Sequence, residues 1–342
     1  MSRSRSPPKD MRGRWKDKIS QLHPFLGARV EGVDLAEVTK EEILSTFAPL
    51  LEEYGILLFP KQQDLSPQVF LNFMKSFPDV DLEELARAKN PFAQGDPSCL
   101  PELPTVRALG NLTSDVALHR GATPELNQMG TEWHTDGCGI TGLFAAQVPG
   151  GGEVKRTTIW ANGYHAWEIL DDQMKQKALE MKLHFGPKHT MEASVAEIYR
   201  RGGRMSPNGL KLMEPVAKEQ LTAEELRRRE EQTNPRRYLP FHGSPVRRHP
   251  FTKRHTLWTM PVFLESGEGM TVEEARDSLE QVLLPGTSRL AAYVHEWSPG
   301  DFVLWDNRST LHSATEVTDA PQLMYQAFLR TKTPMGPAGE DM

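Results

Sequence analysis

A histidine and an aspartate lie two residues apart in the segment TEWHTDG, as His134 and Asp136. If this segment is a β-strand, alternate side chains point to one face, so the imidazole and the carboxylate lie side by side. Such a pair can take two adjacent positions around a metal ion. In a chain with 11 histidines the pair alone is a weak signal, and a hydrogen-bonded surface pair is the alternative.

A third ligand is available much later in the chain. The segment WDNRSTLHSA ends a predicted core strand and presents His312, while Gly137 and Gly139 leave space beside the first pair. Two histidines and one carboxylate form the facial triad that holds Fe(II) and leaves the opposite coordination positions open for dioxygen and a co-substrate. The pattern therefore predicts a site for non-haem iron.

The composition excludes several other classes of protein. Lys and Arg number 40 against 46 Asp and Glu, for a net charge of −6, which argues against a nucleic-acid binder held by a positive field. No apolar run approaches the ~20 residues of a membrane helix. Cys99 and Cys138 are the two cysteines of the chain. A disulfide framework is thereby excluded, and we expect a cytoplasmic protein. A homo-oligomer stays open.

The chain is expected to fold as one domain over residues 25–335. Residues 1–24 begin as a basic, polar stretch without the apolar core of a secretory signal, which predicts a disordered tail and leaves a transit peptide as the alternative. Residues 192–240 are polar and charge-rich and predict an insertion or lid. Residues 336–342 are expected to be a flexible C-terminal tail.

Short strands dominate the middle and the end of the sequence. No internal repeat and no regular βαβ alternation is present, which favours a β-sandwich or barrel with helices packed outside. A helix is predicted over residues 164–181, and another begins at a capping box of Thr271 and Glu274. The strands that bear on the site are predicted at residues 142–148, 156–162, 301–307 and 322–332.

Seven blocks of the sequence resemble, in the same order, the TauD/TfdA family of Fe(II)/2-oxoglutarate-dependent dioxygenases. The resemblance covers most of residues 25–335 and implies a mainly β fold, a double-stranded β-helix (a cupin-like jelly-roll) with peripheral helices. The blocks are GARVEGVDL, EEYGILLFPKQ, EWHTDG, TTIWANGYHAWEIL, SPVRRHPFTKRHTLW, WSPGDFVLWDNRSTLHSA and LMYQAFLRTKTP.

The resemblance implies roles for individual residues. It makes His134, Asp136 and His312 the iron ligands. Thr158 falls where the family places a threonine hydroxyl on the distal carboxylate of 2-oxoglutarate. The WDNR block, residues 305–308, is expected to brace the strand before His312.

The last strand departs from the family. Its two usual arginine positions, one for 2-oxoglutarate and one for a sulfonate substrate in taurine dioxygenase, fall at Gln322 and Gln326. Glutamine cannot make the bidentate, charge-assisted pair that arginine makes, which argues against a sulfonate substrate. Arg330 shares a face with both glutamines and is the expected 2-oxoglutarate anchor, beside Gln326. The alternative cations are Arg247, Arg248 and Arg308.

The function implied by the resemblance is oxidation of a small organic substrate with Fe(II), 2-oxoglutarate and O2. Hydroxylation is the expected outcome, with 2-oxoglutarate decarboxylated to succinate and CO2. One alternative is a non-catalytic jelly-roll that binds or regulates. The other is an oxidase of the same fold that carries out desaturation, cyclisation or epoxidation.

Overall fold

The structure is a computed structural model. The predicted insertion or lid over residues 192–240 lies outside the residues that it describes. The described residues are 14–87, 99–100, 102–110, 133–148, 157–185, 241–260, 264–314 and 322–338.

Strands make up most of the regular structure around the site, and helices lie at its periphery. The strands are β1 (Ile19–His23), β2 (Leu26–Val30), β3 (Ile56–Phe59), β4 (Val106–Gly110), β5 (Gly139–Gln147), β6 (Thr157–Asn162), β7 (Leu183–Phe185), β8 (Phe241–Gly243), β9 (Val246–Arg248), β10 (His255–Leu257), β11 (Leu264–Gly267), β12 (Tyr293–Glu296), β13 (Phe302–Asp306), β14 (Thr310–Ala314), β15 (Leu323–Arg330) and β16 (Gly336–Pro337). The helices are α1 (Lys40–Glu42), α2 (Ala48–Tyr54), α3 (Pro67–Lys75), α4 (Leu82–Arg87), α5 (Gly163–Glu168), α6 (Asp172–Glu180) and α7 (Val272–Thr287), with a π-helical turn Ile43–Phe47 between α1 and α2.

Two sheets enclose the centre of the molecule. The larger sheet has the strand order β1-β2-β3-β13-β5-β15-β4, and the smaller one has the order β12-β6-β14. Trp160 of the smaller sheet packs in one buried apolar cluster with Leu143, Trp305 and Met324 of the larger sheet. Because both sheets contribute side chains to this inner cluster, it lies between them. The predicted mainly β jelly-roll with peripheral helices is confirmed.

The outer face of each sheet is covered by helices. Phe47 beside α2 and Phe73 of α3 pack on Phe59 and Phe302 of the larger sheet. Helix α7 and its neighbours pack in a separate cluster on the outer face of β6 and β14. Since both faces of the sheets are buried, alternate residues of each strand point either to the helices or to the inner space.

The fold extends further than the sequence predicted at both ends. Strand β1 pairs with β2, and the side chain of Trp15 is buried 5.9 Å from the ring of Phe47, so the predicted tail of residues 1–24 includes folded chain. Strand β16 pairs with β9, so the first residues of the predicted tail, 336 and 337, are also part of the fold. The burial of Trp15 against Phe47 and the pairing of β16 with β9 depend on partners far along the chain, which a local pattern does not reveal.

Two further features match the composition of the chain. Both cysteines are free thiols. In the part of the chain that the structure describes, no helix is long and apolar enough to span a bilayer.

Candidate active site

Three predicted ligands converge at one end of the inner space. The Nε2 atoms of His134 and His312 lie 3.6 Å and 3.7 Å from the same carboxylate oxygen, Oδ1 of Asp136. The candidate ligand atoms all lie within 4.8 Å of one another. Two imidazole nitrogens and one carboxylate oxygen at this spacing suit a divalent first-row metal with open positions on the far side. The donor set therefore fits the iron that the fold family implies.

The two histidines are held together by their backbones. His134 N donates to His312 O at 2.9 Å, and His312 N donates to His134 O at 2.8 Å. His312 lies on β14, and His134 forms an isolated bridge to it. The prediction that TEWHTDG is a strand is therefore wrong beyond His134, because Asp136 lies in the loop that leads into β5. The loop, and not strand alternation, turns the carboxylate towards the imidazoles.

Asn307 and Thr141 fix the orientation of that carboxylate. The amide of Asn307 donates to Thr141 Oγ1 at 2.8 Å, and the Thr141 hydroxyl donates to Asp136 Oδ2 at 2.7 Å. The Oδ1 of Asn307 accepts from the backbone N of Asp136 and from Trp305 Nε1. This series of hydrogen bonds occupies Oδ2 of Asp136 and leaves Oδ1 of Asp136 directed towards the two histidines. The sequence reasoning assigned no role to Thr141, whereas Asn307 belongs to the predicted brace.

Replacing Thr141 by valine is expected to weaken metal binding by about 10–100-fold, the usual effect of removing a hydrogen bond to a metal ligand. Valine keeps the shape of the side chain but cannot donate to Asp136. Calorimetric titration of the metal-free protein with Mn(II) measures this affinity without turnover. Thr141→Ser restores the hydroxyl and should return the affinity close to that of the wild type. Equal affinities for the valine and serine variants would exclude the orienting role.

Burial keeps one of the histidines neutral. Desolvation, with a smaller contribution from the neighbouring His134, lowers the pKa of His312 to about 3. The whole residue is 5% exposed. A neutral imidazole offers its lone pair to a metal at physiological pH, whereas a protonated ring could not.

A buried ionic network lies behind the WDNR turn. Arg308 contacts Asp306 through Nε–Oδ1 (2.9 Å) and Nη2–Oδ2 (2.8 Å), and Arg308 Nη1 lies 2.9 Å from Asp79 Oδ2. Burial alone would raise the pKa of Asp306. The charge of Arg308 and hydrogen bonds from Arg308 and His249 outweigh that effect and hold the pKa well below its usual range. Arg308 is thus committed to two carboxylates, and its expected use as an alternative 2-oxoglutarate anchor is not supported.

Thr158 lies on the inner face of the smaller sheet. It precedes the inner residue Trp160 by two positions on β6, and its side chain is buried. Its hydroxyl oxygen accepts a hydrogen bond from Trp297 Nε1 at 2.9 Å. Because Trp297 supplies the donor of this bond, the hydroxyl proton of Thr158 can be donated to an anion.

Gln326 and Arg330 lie on β15, on the same face as Met324, whose side chain packs in the inner cluster. The Cα partner of Gln326 is Leu143, and that of Arg330 is Gly139. The predicted shared face is therefore consistent with the strand, whereas Thr158 lies on the opposite sheet. The remaining alternative cations, Arg247 and Arg248, lie on β9, in a sheet separate from both main sheets.

Comparisons of the sequence with known proteins also indicate a family of dioxygenases. The family model of the taurine catabolism dioxygenase TauD, TfdA family matches residues 18–328. A xanthine dioxygenase of Schizosaccharomyces pombe described as alpha-ketoglutarate-dependent is 23% identical, with 92% of this chain and 87% of that protein covered. Pentalenolactone F synthase of Streptomyces avermitilis is 24% identical, with 84% and 85% covered.

Solved structures of similar shape support the fold. The crystal structure of a taurine dioxygenase from Burkholderia xenovorans has a TM-score of 0.63 at 20% identity, with 94% of this chain and 92% of that chain covered. The structure of AAD-2 in complex with Mn(II) and N-oxalylglycine has a TM-score of 0.61 at 20% identity, with 92% and 99% covered. With nearly the whole length of the chain matched by the family model, the protein belongs to the TauD/TfdA family of dioxygenases.

Proposed function

We propose that this protein uses Fe(II), bound by His134, Asp136 and His312, to oxidise a small organic substrate with 2-oxoglutarate and O2 as co-substrates. The observation that carries the proposal is the convergence of two imidazoles on one carboxylate oxygen, inside a jelly-roll and at the end of its inner space. When bound, the iron supplies the oxidising chemistry, and 2-oxoglutarate is decarboxylated to succinate and CO2.

The residues around the triad hold and shield the reacting groups. The ring of Trp305 lies 5.0 Å from that of His312. The ring of Phe328 lies beside Gly137, since a Cβ added to that glycine would be 3.8 Å from it. These aromatic rings limit the access of water to the metal, as the control of a reactive intermediate requires. Thr158 and Gln326 face the inner space and are proposed to donate hydrogen bonds to 2-oxoglutarate.

The substrate is proposed to be a small molecule other than a sulfonate. The two family positions that carry arginine, for 2-oxoglutarate and for the taurine sulfonate, are the neutral Gln322 and Gln326 here, and neither can supply a guanidinium fork to a sulfonate. Hydroxylation is the expected outcome. Desaturation, cyclisation or epoxidation stays open, because the named relatives act in different reactions.

The cytoplasm is the proposed location of the protein, because both cysteines are free thiols. A non-catalytic role is disfavoured because the complete triad is retained together with the bonds that orient it.

Anaerobic absorption spectroscopy tests the proposal directly. Adding 2-oxoglutarate to the Fe(II) protein should produce a visible metal-to-ligand charge-transfer band, because the keto acid chelates the iron. His312→Ala is the matched control and should give no band. If the Fe(II)-loaded wild type shows no band and does not consume 2-oxoglutarate in air, the proposed function is wrong.

A further inference from the structure

A row of aromatic rings connects the candidate metal site with the opposite edge of the smaller sheet. The ring centroid of Trp305 lies 5.0 Å from that of the ligand His312. The centroid of Trp160 lies 5.5 Å from that of Trp305, and the centroid of Tyr293 lies 6.4 Å from that of Trp160. Centroids about 4.5–7 Å apart belong to rings in contact. This aromatic row, Trp305–Trp160–Tyr293, therefore continues from the metal ligand on β14 to the edge strand β12 without a gap.

Tyr293, at the far end of the aromatic row, has a base within hydrogen-bond distance. Its hydroxyl oxygen lies 2.9 Å from His295 Nδ1, and His295 Nε2 lies 3.1 Å from Asp301 Oδ2. The carboxylate favours a proton on Nε2, which leaves Nδ1 to accept from the phenol. Because His295 and Asp301 are both buried, a positive charge on the imidazole is stabilised by this carboxylate in place of water.

The two tryptophans of the aromatic row have no such base. Trp305 Nε1 donates to the amide oxygen of Asn307 at 3.0 Å, and an amide does not take up a proton at physiological pH. Within the described part of the chain, no group accepts a hydrogen bond from the buried Nε1 of Trp160. Loss of an electron makes a phenol or an indole strongly acidic, so the oxidised ring is stabilised most where a positioned base accepts the proton. Of the three rings, Tyr293 meets this condition.

We propose that the aromatic row conducts electrons from Tyr293 to the metal site and thereby protects the protein when the oxidising chemistry of the iron finds no substrate. The inference rests on the proposed function, in which 2-oxoglutarate and O2 supply a strong oxidant at that site. In the net step one electron leaves Tyr293 and reduces this oxidant. The phenolic O–H bond breaks, and an N–H bond forms at His295 Nδ1. The products are a neutral tyrosyl radical and an imidazolium that pairs with Asp301.

The surroundings of Tyr293 suit the last position of such a row. Burial raises the pKa of its phenol to about 12, so the ring keeps its proton at physiological pH until it is oxidised. Tyr293 and His295 line a cavity of about 460 Å³ together with Arg29 and Leu58 of the larger sheet. Tyr293 is partly exposed, so a soluble one-electron donor can return the electron there while His295 returns the proton. The oxidising equivalent thus leaves the inner space without attacking the residues around the metal.

Photo-oxidation of the metal-free protein tests the pair of Tyr293 and His295 without turnover. A flash of light in the presence of a soluble ruthenium polypyridyl complex and persulfate should produce a neutral tyrosyl radical that electron paramagnetic resonance detects. Tyr293→Phe, which removes only a hydroxyl group, should lose most of this signal. His295→Asn keeps a hydrogen-bond acceptor but no base and should lower the radical yield. Tyr325→Phe is the matched control, because Tyr325 is also partly exposed but lies on β15, and it should keep the wild-type signal.

Reaction without substrate tests the route through the tryptophans. The Fe(II) protein receives 2-oxoglutarate and O2 alone, and mass spectrometry measures oxygen adducts in the peptides that contain the metal ligands, relative to the 2-oxoglutarate consumed. Trp160→Phe and Tyr293→Phe each interrupt the aromatic row with a ring that is hard to oxidise, so adducts per 2-oxoglutarate should rise above the wild-type level in both. Tyr325→Phe should match the wild type. Circular dichroism checks that each variant is folded.

The two measurements separate the possible failures. A tyrosyl signal that persists in Tyr293→Phe would overturn the proposal, as would equal adduct levels in the wild type, Trp160→Phe and Tyr293→Phe. If the Fe(II)-loaded wild type consumes no 2-oxoglutarate, the proposed function is wrong and the protective role falls with it. The photo-oxidation signal needs neither iron nor 2-oxoglutarate, so its loss or retention is independent of that outcome.

Discussion

Asp136→Ala is expected to lower Fe(II) affinity by more than about 100-fold, beyond the range seen when only a supporting hydrogen bond is lost. The substitution removes the one anionic ligand, to which both imidazole Nε2 atoms are directed. Iron-dependent decay of 2-oxoglutarate should fall with it. Fe(II) titration under anaerobic conditions and succinate formation measure the two effects.

The matched control for this variant is Asp34→Ala, since Asp34 is an exposed carboxylate whose side chain accepts a local hydrogen bond from the backbone N of Ala36. Circular dichroism should show that both variants remain folded. An Asp136→Ala protein that still couples 2-oxoglutarate decay to substrate oxidation at the wild-type rate would show that Asp136 is not a ligand.

Arg308→Ala is expected to reduce the free energy of unfolding by about 3–5 kcal/mol, because it leaves the buried carboxylates of Asp306 and Asp79 without their cation. Both carboxylates are nearly inaccessible to water. Chemical denaturation measures the change. Arg29→Ala is the control: its ion pair with the exposed Glu31 should contribute no more than about 1 kcal/mol.

The same network has a defined pH dependence. Because the folded-state pKa of Asp306 is depressed, its contribution to stability is present above the unfolded pKa of about 3.9 and is lost only as the pH falls through the lower folded value. The contribution of Asp306 in the wild type should therefore stay constant from neutral pH to about pH 5. In Arg308→Ala the burial of Asp306 is no longer offset by the guanidinium, so its pKa is raised and the variant should lose less stability relative to the wild type as the pH falls. A difference that stays unchanged down to about pH 4 would show that Asp306 is not the carboxylate left without its cation.

Local patterns predicted much of the fold. The helix that follows Thr271 begins with the predicted capping box, and the predicted strands at residues 301–307 and 322–332 contain β13 and β15. The predicted helix over residues 164–181 is divided, because the side chain of Asp171 caps a second helix by accepting from Met174 N. An apolar period continues across such a break, so the pattern alone could not locate it.

The candidate metal ligands could be predicted from the sequence, whereas the contacts among the residues around them could not. His134, Asp136 and His312 belong to recognisable blocks, and the structure brings them together. The hydrogen bond from Thr141 to Asp136 depends on how the loop before β5 turns, and the position of Gln326 beside Leu143 depends on the register between two strands far apart in sequence. Neither relation has a local signature.

The paired backbone hydrogen bonds between His134 and His312 have a thermodynamic consequence. They hold two ligands together in the absence of an ion, so little of the metal-binding free energy is consumed in ordering the chain. A chelator should leave the protein folded, and an ion at 100 times its dissociation constant should stabilise it by about 2.7 kcal/mol through mass action.

The affinity of such a preassembled set of two nitrogen ligands and one oxygen ligand should follow the general series for divalent metals, in which Zn(II) and Cu(II) bind more tightly than Fe(II). Which ion the protein carries in a cell is then decided by supply, and traces of zinc should inhibit it by occupying the same three ligands.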